Sequence, residues 1–328
     1  MTAEASSPAC TAPFTLLDLP LLSRSTVDRQ ELLVNDEVKQ AQLWPSGRVL
    51  LLDDAGRVAV RGRGSELVFA PAMSIADAPP KDAVLLGEEN GIGYWGLRLS
   101  SPDDEPAPRQ FRWEPPELVD GEQKLDLRLA APLLNARDAG LFTTAQAVLN
   151  WYRVGKFCAK CGTEVHKIKA GWASLCPGCG REEYPRTDPA VICLVHDDRG
   201  VNGENVLLAR GTPWPPGRLS VLAGFVEAGE SLEDCVAREI AEEVGVAVRD
   251  VRYLGNQPWP FPRSLMIGFT AVADHDAPLN PADGEIAEAH WISRTQVRAI
   301  LAGEDDSFKL PGLPSIANVM VRSWAEAD

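Results

Sequence analysis

Glu239, Glu242 and Glu243 stand at i, i+3 and i+4, a spacing that puts three carboxylates on one face of a helix. Unpaired, three like charges there would repel and destabilise it. Divalent cations would relieve that repulsion and gain hard oxygen ligands. The helix itself is well signalled over about 231–244. Ser231 is a good N-cap, Glu233 and Asp234 suit the positive end of the dipole, and Gly245 suits the C-terminal turn. Leu232, Val236 and Ile240 form an opposite, buried stripe. Alone, a Glu-Glu pair would be read as a solvated acidic face; Gly224, Glu230 and Arg238 in register argue against that.

A second constellation is Cys158-x-x-Cys161 and Cys176-x-x-Cys179, with fourteen residues between the pairs. Each pair offers two thiolates from one tight turn, and Gly162 and Gly180 follow where the backbone must be permissive. Together they suit a tetrahedral zinc ion. Four protein thiolates leave no open position, so Zn2+ here is expected to be structural rather than catalytic. A ribbon that touches RNA is the alternative, supported weakly by Lys156, Lys160, Lys167 and Lys169. Cys193 and Cys235 read as packing residues.

The elements that must position these groups alternate in period. Strand-like runs at Gly47–Leu52, Val58–Val60, Val84–Leu86 and Tyr94–Leu99 are divided by turn residues, giving a β-rich N-terminal domain over 1–136. Residues 1–13 are expected to be disordered, and Ser101–Pro116, rich in Pro and acid, to form an exposed loop. Leu141, Ala145, Val148, Leu149 and Tyr152 mark a helix leading to Cys158, so 137–184 is read as helix plus zinc ribbon. Strands at Pro189–Val195, Asn205–Ala209 and Leu265–Val272, with a last helix at about 315–326, give an α/β domain over 185–328.

Composition narrows the class. Lys+Arg number 32 against 47 Asp+Glu, a net charge of −15, which argues against broad nucleic-acid binding and suits a protein that meets a polyanion through bound cations. No secretory signal and no apolar stretch of the ~18–20 residues that span a bilayer is evident. An odd number of cysteines, four of them in metal-type pairs, fits a reducing compartment. The expected location is cytoplasmic.

Gly224, Glu230, Arg238, Glu239, Ile240, Glu242, Glu243, Gly245 and Val246 reproduce the pattern G-x5-E-x7-R-E-U-x-E-E-x-G-U, with U a bulky aliphatic residue. The segment 224–246 thus resembles the signature of the Nudix hydrolases. The resemblance implies an α/β/α sandwich in which Glu239 and Glu243, assisted by Glu242, bind Mg2+ or Mn2+, while Glu230 and Arg238 form a structural ion pair. The metals would polarise phosphoryl oxygens and lower the pKa of an attacking water. Glu243, then Glu242, is the expected proton acceptor.

Downstream, Asn256-Gln257-Pro258-Trp259-Pro260-Phe261-Pro262-Arg263-Ser264 resembles the S-Q-P-W-P-F-P-x-S signature of the NADH pyrophosphatases within that superfamily. Three prolines stiffen the loop, so Trp259 and Phe261 would be presented at little entropic cost to a nicotinamide or adenine face. The same resemblance implies that Ala223, Gln257 to Ser264 and Ala317 line a substrate pocket and that Tyr184 and Phe225 sandwich the nicotinamide ring. It implies a further metal ligand at Glu285, with Glu288 as competitor, and a homodimer in which both subunits shape the site. Asn256 replaces the first Ser of the signature, Gly171 stands where some members carry an acid, and Arg263 could contact phosphate.

The implied activity is hydrolysis of NADH or NAD+ to nicotinamide mononucleotide (NMNH or NMN) and AMP. Removal of an NAD cap from RNA 5′ ends is the alternative at the same site. A non-catalytic NAD or ADP-ribose sensor is the alternative of another class, disfavoured because every box carboxylate is present.

Overall fold

The computed structural model describes residues 12–29, 31–99, 118–282 and 284–327. Residues 1–11 of the terminus expected to be disordered, and all of the expected loop Ser101–Pro116, lie outside the described residues. The chain divides into two compact units, one of residues 21–188 with 258–265 and one of residues 1–20, 189–257 and 266–328.

The first unit opens with α1 (Glu31–Asn35) and α2 (Glu37–Leu43), followed by β1 (Arg48–Leu52), β2 (Val58–Arg61), β3 (Glu66–Leu67), β4 (Phe69–Pro71), β5 (Val84–Glu89), β6 (Ile92–Arg98) and β7 (Gln123–Leu125). These strands form a four-stranded sheet in the order β4-β1-β6-β5 and a three-stranded sheet β3-β2-β7. The short helix α3 (Leu127–Ala130) precedes α4 (Ala136–Val154), whose N-cap Asn135 accepts from the amide of Asp138. Leu141, Ala145, Val148 and Leu149 of α4 are buried against Leu50, Leu52, Val84 and Leu86, so the expected helix and its apolar face are both present.

The zinc-ribbon segment completes that unit as a small sheet β10-β9-β8, made of β8 (His166–Ile168), β9 (Ala173–Leu175) and β10 (Glu182–Glu183). The Trp172 indole donates to Leu85 O at 2.7 Å and the Tyr152 hydroxyl to Ala173 O at 2.8 Å, tying the ribbon to the β-rich part and to α4.

The second unit contains β11 (Asp188–His196), β12 (Asn205–Gly211), β13 (Leu222–Phe225), α5 (Leu232–Val244), β14 (Val248–Trp259), β15 (Ser264–Ala273), β16 (Ile286–Ser293), α6 (Arg294–Ala302) and α7 (Ile316–Glu326). Its sheet runs β14-β15-β11-β12-β16, with β13 also paired to β11. Strand β11 is an almost unbroken apolar run because both faces are covered. Ile192 and Leu194 join Val206 and Leu208 against α7 residues Met320, Val321 and Trp324. The alternate residues Val191, Cys193 and Val195 join Leu207 and Ala209 against α5 residues Cys235, Val236, Ile240 and Val244. One sheet between helices is the α/β/α sandwich the sequence implies. Cys193 and Cys235 are core residues, as expected.

Candidate active site

Helix α5 starts as its sequence dictates, with the Ser231 hydroxyl accepting the Asp234 amide at 3.1 Å, and ends at Gly245 with φ 75°. Within it Arg238 is a hub. Its Nε and Nη2 donate to the two oxygens of Glu230 at 2.7 and 2.9 Å, and Nη2 also reaches the Phe225 carbonyl at 3.0 Å. This two-pronged pair pins the loop before α5 to the helix and holds Glu230 down at about 2. Nη1 turns to the other side and donates to Glu239 at 3.0 Å and Glu242 at 2.9 Å.

The three box carboxylates differ in burial. Glu243 is only 6% exposed, on the same side of α5 as Val236 and Ile240, whereas the Glu242 side chain is 61% exposed. Glu239 lies between these extremes. Burial, then the negative fields of Glu239 and Glu285, push Glu243 up to about 8, although the Ala223 amide donates to it. Burial also raises Glu239, with Glu242 and Glu285 adding to the shift and Arg238 opposing it. Glu285 is thus near enough for its charge to act on both Glu239 and Glu243. Its competitor Glu288 is engaged elsewhere, accepting from Arg210 at 2.5 Å and lying 3.2 Å from His290.

Two observations fit this cluster to a cation. Oε2 of Glu243 is buried without a hydrogen-bond partner, a costly state for a carboxylate unless a charge arrives to meet it. Gly224 leaves the room that Glu239 occupies, since a Cβ there would fall 1.8 Å from the Glu239 carboxyl carbon. Glu239, Glu243 and Glu285 are the residues that would hold the ion, with Glu242 at the exposed edge.

The four ribbon sulfurs lie within 4.8 Å of one another. Both turns are built alike: Gly162 N donates to Cys158 O and Gly180 N to Cys176 O, each at 2.9 Å, with φ of 73° and 72° at the two glycines. Cys158 and Cys176 are buried and Cys161 and Cys179 exposed. Two of the four nearby lysines are already engaged within their own unit. Lys167 reaches Asp82 and lies over the Tyr152 ring, and Lys169 donates to Glu182 and Tyr184. That weakens the reading of a basic RNA-touching ribbon.

The expected pocket residues fall in both units. Phe225, 59% exposed, and Ala223 stand on β13, at the start of the Nudix box. Tyr184, 55% exposed, belongs to the ribbon's unit, its hydroxyl donating to Glu182 at 2.7 Å and accepting from Lys169 at 2.8 Å. Gln257 is fully buried, donating through Nε2 to Pro314 O at 2.7 Å, with Oε1 lacking a partner. Ala317 is 1% exposed in the α7 core, its amide donating to the Ser315 hydroxyl at 3.2 Å.

The proline loop departs from the expectation of two freely presented rings. Trp259 and Phe261 are half-buried against the α4 core, edge to face with centroids 4.9 Å apart. Arg263 is held by Asp188 at 2.8 Å, which in turn binds Arg186 at 2.6 Å. Sequence reasoning overlooked Arg128 and Asn150, which touch this loop from α3 and α4; no local pattern marks either one.

Comparison with known proteins covers most of the chain. A NUDIX domain model matches residues 186–311, an NADH pyrophosphatase zinc ribbon domain 156–184, and an NADH pyrophosphatase-like rudimentary NUDIX domain 26–151. The NAD-capped RNA hydrolase NudC of Mycobacterium bovis is 44% identical over 326 residues, 96% of this chain and 97% of that protein. The protein of the same name from Mycobacterium tuberculosis gives the same identity and coverage. The NAD-capped RNA hydrolase NUDT12 of Homo sapiens is 38% identical over 201 residues, 58% of this chain and 42% of that protein.

Proposed function

The chain belongs to the NADH pyrophosphatase family of Nudix hydrolases, and from that premise we propose that it hydrolyses the pyrophosphate of NADH and NAD+ to nicotinamide mononucleotide and AMP. The observation that carries the reading is the buried Glu243 carboxylate, one oxygen unpartnered, in the field of Glu239 and Glu285 within an intact box. Mg2+ or Mn2+ bound by these acids would polarise the phosphoryl oxygens and acidify water. Glu243 takes the proton of the attacking water as that water's oxygen bonds to phosphorus and the bridging P–O bond breaks. Arg238 keeps Glu239 and the preceding loop in place. By the same resemblance Tyr184 and Phe225, both exposed, would take the nicotinamide, and Zn2+ in the ribbon is structural. By the same resemblance the enzyme works as a cytoplasmic homodimer; among the described residues no helix is long and apolar enough to cross a membrane.

Removal of the NAD cap from RNA is a second reading, favoured by the activity for which the relatives are named. The net charge of −15 predicts few phosphate contacts beyond the first nucleotides. Mass analysis of products from NADH and from NAD-capped RNA, in H2(18)O with Mg2+ or Mn2+, tests both readings and locates the attacked phosphorus. Intact NADH after prolonged incubation would sink the first reading, and intact capped RNA the second.

A further inference from the structure

The N-terminal part of the first unit carries no catalytic motif, yet it grips the proline loop at two points. The Arg128 guanidinium on α3 lies 3.6 Å from the centroid of Phe261 and 5.7 Å from that of Trp259. Asn150 on α4 donates through Nδ2 to the carbonyl of Pro260 at 3.1 Å, while its Oδ1 accepts from Arg98 Nη2 at 2.9 Å. Arg98 is itself fixed, donating through Nη1 to the carbonyls of Asp53 and Asp54. The Asn150 amide is thereby held the right way round to meet Pro260, and that carbonyl is the acceptor between the two rings.

We propose that Arg128 and Asn150 are positioning residues for substrate binding, a clamp through which α3 and α4 set the pose of the Trp259–Phe261 loop. A proline-stiffened loop has few conformations of its own but can still swing about its ends. A cation over one ring face and a hydrogen bond to the intervening carbonyl remove that freedom. The loop is continuous in sequence with Gln257 on one side and with β15 on the other, so its pose is passed along the strands that carry it. The clamp acts on binding and not on the metal-held acids. This rests on the NADH reading for its consequence, though not for the contacts.

The full-length protein is labelled with 5-fluorotryptophan, and the Trp259 line in the 19F spectrum is assigned with Trp259→Phe. Arg128→Ala, Arg128→Met and Asn150→Ala are expected to shift and broaden that line, and Arg128→Lys to restore it in part. With NADH, the first three variants should raise KM about tenfold while kcat stays within about twofold, the Lys variant falling between. An unchanged Trp259 line in all variants overturns the clamp. A changed line with unchanged KM overturns its role in substrate binding. If wild-type protein does not cleave NADH, the proposed function fails while the 19F result still decides the clamp.

Discussion

Gly224 and Glu239 occupy space that cannot be shared, a Cβ on the first falling 1.8 Å from the carboxyl carbon of the second. The atoms in conflict are the tip of a flexible side chain, so Gly224→Ala should swing Glu239 aside and leave the fold standing. The expected outcome is a kcat lower by roughly a hundredfold with a thermal midpoint within a few degrees of wild type. Steady-state kinetics beside a melting curve checks this, and an active Ala variant would contradict the assigned place of Glu239.

Glu243 makes stability depend on pH in a definite direction. Its folded pKa of about 8 stands above the ordinary value of 4.5, so the folded state binds the proton more tightly than the unfolded one. That contribution is fully present below pH 4.5 and is lost as pH rises through about 8. In protein dialysed free of Mg2+ and Mn2+, urea unfolding should show a loss of roughly 2–4 kcal/mol across that window. Glu243→Gln should flatten most of the slope, leaving the smaller part due to Glu239, and also abolish hydrolysis. Added Mg2+ should stabilise wild type more at pH 8 than at pH 5.

Stacking by Tyr184 and Phe225 predicts a binding defect. Tyr184→Ala and Phe225→Ala should each raise KM for NADH by roughly tenfold, with kcat little changed. Lys169→Ala should do the same more mildly, because Lys169 and Glu182 hold the Tyr184 hydroxyl. Unaltered KM in the two ring variants would remove the sandwich.

The ribbon should carry about one zinc ion per chain. Cys176→Ser is expected to abolish that content and expose 156–184 to limited proteolysis. Zinc retained at the wild-type level in the variant would refute a four-thiolate site.

The local parts of this architecture were legible in the sequence and the long-range parts were not. Two cysteine knuckles and a capped helix are each specified within a few residues, so Cys158–Gly180 and Ser231–Gly245 could be read directly. That Glu243 is buried while Glu242 is open depends on which flank of α5 meets the sheet, and spacing alone treats both as one face. The pairing of Glu288 with Arg210 joins two strands that are neighbours in the sheet but far apart in sequence. The packing of Phe261 under Arg128 likewise brings together residues far apart in the chain. Helix α6 went unread because, among the residues it buries, only Val297 is fully enclosed, which leaves little periodicity to detect.

The first unit is made of 21–188 together with 258–265, and this discontinuity bears on how the protein can be divided. Cutting at the boundary the sequence suggests, near 184, would separate the eight-residue segment 258–265 from the partners it folds with, baring the Trp259 and Phe261 rings on one fragment and emptying their seat on the other. Neither half would be a self-sufficient product of translation. Substitutions in the 21–188 part and in the 258–265 segment that packs against it are therefore expected to be coupled.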